Sequence, residues 1–208
     1  SSVISQWITV DDNMQVTFNQ DAVKQYIADL AAKYDTVGKT RNFTTATGNV
    51  VQVEGGGYGW KIDQDAEYNA LITNIQNAET VTREPNYSSR AATHDANDWG
   101  TTYAEVDLTA QHMYFIQNGQ IAMQCDIVTG NPNKGNATPQ GMYSLYYKQQ
   151  NQVLRGKKLE DGTYEYESPV DYWMPFNGGI GFHDASWQSA FGGVRYQTYG
   201  SHGCVNMP

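Results

Sequence analysis

The 208-residue chain carries Ser201-His202-Gly203-Cys204-Val205-Asn206 near its end, and Gly179-Ile180-Gly181-Phe182-His183-Asp184 lies upstream. Cysteine-driven acyl chemistry needs a thiolate, a base to make it, and donors for the oxyanion that forms. These two segments hold all three types. Cys204 is the candidate nucleophile. A free thiol has a pKa of about 8.5 and is mostly protonated at neutral pH; a neighbouring imidazolium raises the thiolate fraction. His183 is the candidate base, held at the end of an apolar, glycine-rich strand. Gly203 lets backbone approach a substrate closely and lets successive N–H groups converge on an oxyanion. In an extended stretch His202 and Cys204 share a face, so a local His202–Cys204 contact is a second arrangement. A third group must fix the His183 tautomer. Asp184, the Ser201 hydroxyl and a backbone carbonyl are the alternatives.

The remaining cysteine and histidines read as structural. Cys125 alternates with Met123 and Ile127 as a small buried hydrophobe does on a strand. His94 falls in a polar stretch and His112 on a strand beside Met113. His183, His202 and Cys204 are permitted zinc ligands, but there is no Cys-x-x-Cys pair. No metal and no cofactor is therefore expected. Two cysteines do not make a disulfide scaffold.

The net charge is −9. Such a field repels phosphates, and no Lys/Arg run offsets it, so no nucleic-acid partner is expected. No stretch approaches the length of a membrane-spanning helix. No signal peptide is present. The opening Ser1-Ser2-Val3 reads as part of a longer protein.

Several elements must position these residues. Residues 21–34 read as an amphipathic helix whose face is Val23, Tyr26, Ile27, Leu30, Ala31 and Tyr34. Gly38 stands past its end as a stop signal. Strands are expected at 41–45 and 50–53 around Thr47-Gly48-Asn49. Gly55-Gly56-Gly57-Tyr58-Gly59 lacks phosphate-loop spacing and reads as a turn. A second helix runs over 64–77, N-capped by Asp63, with Tyr68, Leu71, Ile72 and Ile75 inward. A strand is expected at 79–84. Residues 85–100, poor in large aliphatics, mark a domain boundary. Beyond it, strands are expected at 103–108, 112–117, 120–128, 142–148, 163–168 and 179–183. Asn118-Gly119 is the strongest hairpin signal. The fold class expected is two domains, an N-terminal α+β domain over 1–98 and a C-terminal mainly-β domain over 99–208.

His183, seventeen intervening residues (184–200), then Ser201-His202-Gly203-Cys204-Val205-Asn206 resembles the motif of the L,D-transpeptidase catalytic domain. Tyr103–Leu108 with Gln111–Ile121, Thr129-Gly130 and Thr138-Pro139-Gln140-Gly141 extend the resemblance over roughly 100–208. Tyr58–Asp63, the helix after it and Arg83–Tyr87 are similar to the domain that precedes the catalytic one in Gram-positive members, enterococcal ones most of all.

The resemblance implies a function. Cys204 would attack the third residue of a peptidoglycan tetrapeptide stem and expel the terminal D-Ala. The thioester would pass to the side-chain amine of another stem, giving a 3→3 cross-link. His183 would serve as base, with Ser201, His202 and Gly203 completing the site. It further implies acylation by carbapenem β-lactams, a peptidoglycan-binding role for the first domain, a monomer, and a cell-surface location. An N-terminal membrane anchor outside this sequence would fit that location. Members continue past the motif, so a sequence ending at Pro208 reads as cut short there. The alternative reading is an L,D-carboxypeptidase, in which water takes the same acyl group. A papain-like peptidase is disfavoured because in those the Cys precedes the His.

Overall fold

Asn19 and Asp63 set where the two long helices begin. In the computed structural model, which describes residues 3–208, the Asn19 side chain accepts from Ala22 N–H and starts α1, Gln20–Tyr34. Asp63 does the same for Ala66 N–H and starts α2, Gln64–Gln76. Each side chain satisfies one of the donors a first helical turn leaves open.

The chain divides into two compact units, one of residues up to Val37 with Tyr58–His94, the other of Gly38–Gly57 with Asp95–Pro208. The first unit is organised by α1. Val23, Ile27 and Ala31 are buried with Trp7 and Ile62, and Tyr26, Leu30, Tyr68, Leu71, Ile72 and Ile75 pack around them. Tyr34, expected on this face, is instead exposed. It is the last helical residue, and Asp35 turns the chain into extended backbone whose carboxylate accepts from Ile62 N–H. A hairpin of β1 (Ile8–Val10) and β2 (Val16–Phe18) was not legible in the sequence. Its strands are three residues each, separated by polar Asp11-Asp12-Asn13.

The second unit contains the strands β3 (Arg41–Thr44) and β4 (Val50–Val53), an antiparallel hairpin. A contiguous division at residue 98 is therefore corrected for residues 38–57. Arg41 ion-pairs with buried Asp98, and Ala46 N–H donates to the Glu105 carboxylate at 2.8 Å. Gly55 and Gly56, both left-handed, lie against the 140–142 backbone, and a Cβ on Gly56 would sit 2.0 Å from Met142 O. The first unit keeps β5 (Lys61–Ile62) paired with β6 (Tyr87–Ser89).

β7 (Tyr103–Asp107), β8 (His112–Gln117) and β9 (Gln120–Asp126) form an antiparallel meander. Asn118 and Gly119 both take positive φ in its tight turn, as a type I′ hairpin requires. The last sheet runs β10 (Gln149–Arg155), β11 (Glu167–Asn177), β12 (Ile180–Asp184), β13 (Val205–Met207), and its final pair is parallel. Met113, Ile127, Phe176 and Val205 are the centre of this unit's core. Strands predominate over helices throughout the unit.

Three expected strands are corrected. Residues 79–84 form no ladder. Arg83 there reaches Glu67, a buried carboxylate on α2, at 2.8 and 3.1 Å. Residues 142–148 also lie outside the ladders, with backbone bonds to the separate carbonyls of Gly55 and Pro175. Residues 163–168 are largely the tip of the β10–β11 hairpin, and β11 begins only at Glu167. Among the described residues no helix is long and apolar enough to cross a membrane.

Candidate active site

The site is built where β12 and β13 lie side by side. Phe182 pairs with Val205 and His183 with Asn206, so residues 21 apart in sequence (183 and 204) fall on neighbouring strands. β12 runs through a crowded passage in which Gly181 is required. A Cβ there would meet Met174 O at 2.6 Å and the Trp173 ring at 2.7 Å.

Four hydrogen bonds through Ser201 hold the loop that carries Cys204. Ser201 N–H donates to Thr129 O at 3.0 Å, and Asn131 N–H donates to Ser201 O at 2.9 Å. The Ser201 hydroxyl donates to Cys204 O at 2.6 Å and accepts from Gly203 N–H at 3.0 Å. Thr129 is itself pinned by Gln111, fully buried, whose amide bonds both its N–H and its hydroxyl. Gly203 sits at φ +123°, and a Cβ would strike Ile180 at 2.9 Å. Gly130 meets the same loop so closely that its Cβ would fall 2.8 Å from Gly203 Cα.

His183 is buried, with 4% of its surface exposed. Its Nδ1 lies 2.8 Å from Asp184 O. A carbonyl only accepts, so Nδ1 carries the proton and Nε2 keeps its lone pair. Of the three alternatives for the tautomer-fixing group, the structure places the backbone carbonyl at His183; the Ser201 hydroxyl is occupied with the Cys204 loop, and the Asp184 carboxylate accepts from Tyr172 N–H. Burial pushes the imidazole below its ordinary pKa, against the opposing pull of Asp184. Trp187 and Trp173 flank the ring at 5.7 and 6.0 Å.

The Cys204 thiol donates to Gly179 O at 3.7 Å. Burial raises its pKa, and a hydrogen bond from Gly181 backbone draws it partly back. Both groups thus favour their neutral forms, a thiol and an imidazole rather than an ion pair. His202 is not brought to the thiol as the extended-strand reading would have it. Its ring stacks on Tyr166 at 4.9 Å, with Glu165 3.7 Å from Nε2. Tyr166 comes from the β10–β11 tip, and burial foremost, with the nearness of Cys204 and Glu165, pushes its phenol above the ordinary pKa. Nothing in the sequence pointed to it, because Tyr166 and His202 lie 36 positions apart, from 166 to 202. His183, His202 and Cys204 do not converge as a metal-ligand group among the described residues.

A groove of about 400 Å³ lies in the same unit, lined by Gly56, Gly57, Tyr143, Tyr146, Phe176 and Asn177. Asn177 stands two residues before Gly179, the thiol's partner. Cys125 is half-buried against the core, its thiol raised by burial and by Asp126. His94 stacks on Trp60 at 3.9 Å and His112 contacts Asp126 at 2.7 Å.

Comparison with known proteins gives a consistent setting. The family profile described as L,D-transpeptidase catalytic domain matches residues 101–208. One described as "putative peptidoglycan binding domain" matches residues 1–83. An avibactam carbamoyl enzyme, Ldtfm, is similar at 38% identity and TM-score 0.77, covering 100% of this chain and 79% of that one. A cysteine-to-serine mutant of Enterococcus faecium L,D-transpeptidase is similar at 37% identity and TM-score 0.76, covering 100% and 81%. The Enterococcus faecium L,D-transpeptidase catalytic domain acylated by ertapenem is similar at 45% identity over 52% of this chain and 82% of that one, with TM-score 0.46. No curated protein matches the chain.

Proposed function

Because the chain belongs to the L,D-transpeptidase catalytic-domain family, we propose that it cross-links peptidoglycan through a Cys204 thioester. Cys204 attacks the carbonyl of the third residue of a tetrapeptide stem and the C–N bond to the terminal D-Ala breaks. The side-chain amine of a second stem then takes the acyl group, giving a 3→3 link and freeing the thiol. His183 acts as base toward the thiol and later toward the amine. Ser201 holds the loop, Gly203 admits the close approach, and His202 positions the Tyr166 side of the cleft.

The observation that carries this reading is the His183 tautomer. With Nδ1–H bound to Asp184 O at 2.8 Å, Nε2 is free to accept the thiol proton. Burial favours the neutral form of both groups, a thiol beside an unprotonated base. The groove beside Asn177 is the proposed seat of a stem. The 1–83 match supports a peptidoglycan-binding role for the first unit, and both matches support a wall-associated, extracytoplasmic setting. The relative that forms an avibactam carbamoyl enzyme supports carbamoylation of Cys204 by avibactam.

The test is incubation with purified disaccharide-tetrapeptide and mass analysis of the products. A dimer lacking one D-Ala is expected. A monomer lacking D-Ala would mean that water takes the acyl group, an L,D-carboxypeptidase. Cys204→Ala is expected to abolish both products while keeping its fold, and residual cross-linking by the pure mutant would sink the nucleophile assignment.

A further inference from the structure

The Thr138-Pro139-Gln140-Gly141 segment has a tie to the cysteine loop that the proposed mechanism does not use. Thr138 is buried. Its hydroxyl accepts from Gly130 N–H at 2.9 Å and lies 2.8 Å from Gly203 O. A hydroxyl has one proton. Gly130 N–H is a donor, so that proton goes to the Gly203 carbonyl. The direction of both bonds is settled by the chemistry of the partners.

Fixing the Gly203 carbonyl fixes more than that oxygen. The peptide bonds of the chain are all trans among the described residues, and a trans peptide is planar with its C=O and N–H on opposite sides. With Gly203 O turned toward Thr138, Cys204 N–H must point the other way. That N–H has no hydrogen-bond partner among the described residues, whereas the preceding one, Gly203 N–H, is taken by the Ser201 hydroxyl. The free donor belongs to the residue whose sulfur attacks, which is where an oxyanion needs one. Gly203 also carries no Cβ to restrict its ψ, one of the two torsions that turn the Gly203–Cys204 plane. Without a clamp, this peptide could rotate.

We infer that Thr138 is a positioning residue for acyl transfer, its hydroxyl holding the Gly203–Cys204 peptide so that Cys204 N–H faces the substrate carbonyl as an oxyanion donor. This rests on the acyl-transfer reading above. It adds a residue 66 positions from the nucleophile, counting from 138 to 204, that touches neither substrate nor sulfur.

The experiment compares two reactions of one thiol in Thr138→Val, Thr138→Ser and the parent chain. The first is single-turnover acylation by disaccharide-tetrapeptide, read by mass and D-Ala release. The second is alkylation by iodoacetamide, in which sulfur displaces iodide at a saturated carbon and no oxyanion forms. Thr138→Val is expected to slow acylation roughly tenfold to a hundredfold, somewhat less than outright removal of an oxyanion donor. The tetrapeptide concentration for half-maximal rate should stay unchanged, and alkylation should stay within about twofold of the parent, since no oxyanion is stabilised there. Thr138→Ser keeps both hydrogen bonds and should restore acylation. Equal loss in both reactions would overturn the inference, because Thr138 would then place the sulfur itself. So would a valine variant with unchanged acylation, or a serine variant as slow as valine. A parent chain that alkylates normally yet never acylates would remove the functional reading, and this inference with it.

Discussion

The two units are held together by different physics. The first unit is centred on apolar side chains: Trp7, Val23, Ile27, Ala31 and Ile62 are all buried, on elements that any good packing would satisfy. Around the candidate site, the second unit relies on buried polar groups and missing side chains. Gln111, Thr129, Asn131, Thr138 and Asn206 are buried, and Gly130, Gly181, Gly200 and Gly203 each stand where a Cβ would collide. Apolar burial is non-directional and tolerates repacking. Buried hydrogen bonds and backbone-to-backbone contacts fix orientation, which a reacting thiol, imidazole and donor require. The difference shows where the molecule spends its precision.

The sharpest way to break that contrast is at Gly130. An alanine Cβ would lie 1.9 Å from Asn136 O and 2.8 Å from Gly203 Cα, and backbone cannot yield as a side chain can. Gly130→Ala is expected to destabilise the second unit by upward of about 4 kcal/mol, the exceptional end of single substitutions, and to abolish acylation. Chemical denaturation together with product analysis reads both. A stable, active alanine variant would show that the loop adapts and that the polar scaffold is not rigid.

The matching change in the first unit is Ile27→Ala. It opens a cavity in a core of side chains 1% exposed or so at this position, at an expected cost of about 2–5 kcal/mol. Amide exchange within α1 measures it locally. Protection that stays at the parent level would mean the unit collapses around the gap, and that its packing carries less than its burial implies.

A smaller effect comes from pH. Burial lowers the His183 pKa, so the base stays unprotonated to more acidic pH than an ordinary histidine of about 6.5. The acid limb of kcat/KM is therefore expected below pH 6.5. The sign for stability follows from the same shift. The unfolded chain binds the proton more readily, so this contribution is complete above the unfolded pKa and is lost as pH falls through it toward the folded value. An acid limb at or above pH 6.5 would show that substrate binding, or an ion pair with Cys204, restores the charged imidazole.

How much of this was legible in the sequence follows the same division. The helices of the first unit could be read because apolar spacing and caps are local: Asp63 starts the second, and Val23, Ile27 and Ala31 share a face of the first. The motif residues could be read because Cys204 and His183 lie in a short, specific pattern. The polar scaffold could not. Gln111 meets Thr129 across 18 positions and Thr138 meets Gly203 across 65, and no periodicity marks such partners. The hairpin 38–57 was placed with the wrong unit for the same reason, since Ala46 reaches the Glu105 carboxylate 59 positions away. The expected strand at 142–148 failed because alternating apolar residues there pack, as Tyr143 does on Phe176, while only the isolated Tyr146 N–H bond to Pro175 O reaches β11.

The smallest expected effect is at the other thiol, and it tests whether chemistry in the second unit is confined to the polar scaffold. Cys125 and Cys204 are both free, and burial raises the pKa of each. What differs is the second influence. Gly181 backbone donates toward Cys204 and favours its thiolate, whereas Asp126 beside Cys125 opposes a second negative charge. Cys125 also packs beside Met113 and Ile127 as a small apolar group. Cys125→Ala should thus cost no more than about 1 kcal/mol, as loss of one partly buried atom does. Turnover should remain within about twofold of the parent, since surface and partly buried changes away from a site seldom alter chemistry. A folded but inactive Cys125→Ala protein would place a reactive group in the apolar core and erase the distinction between the two environments.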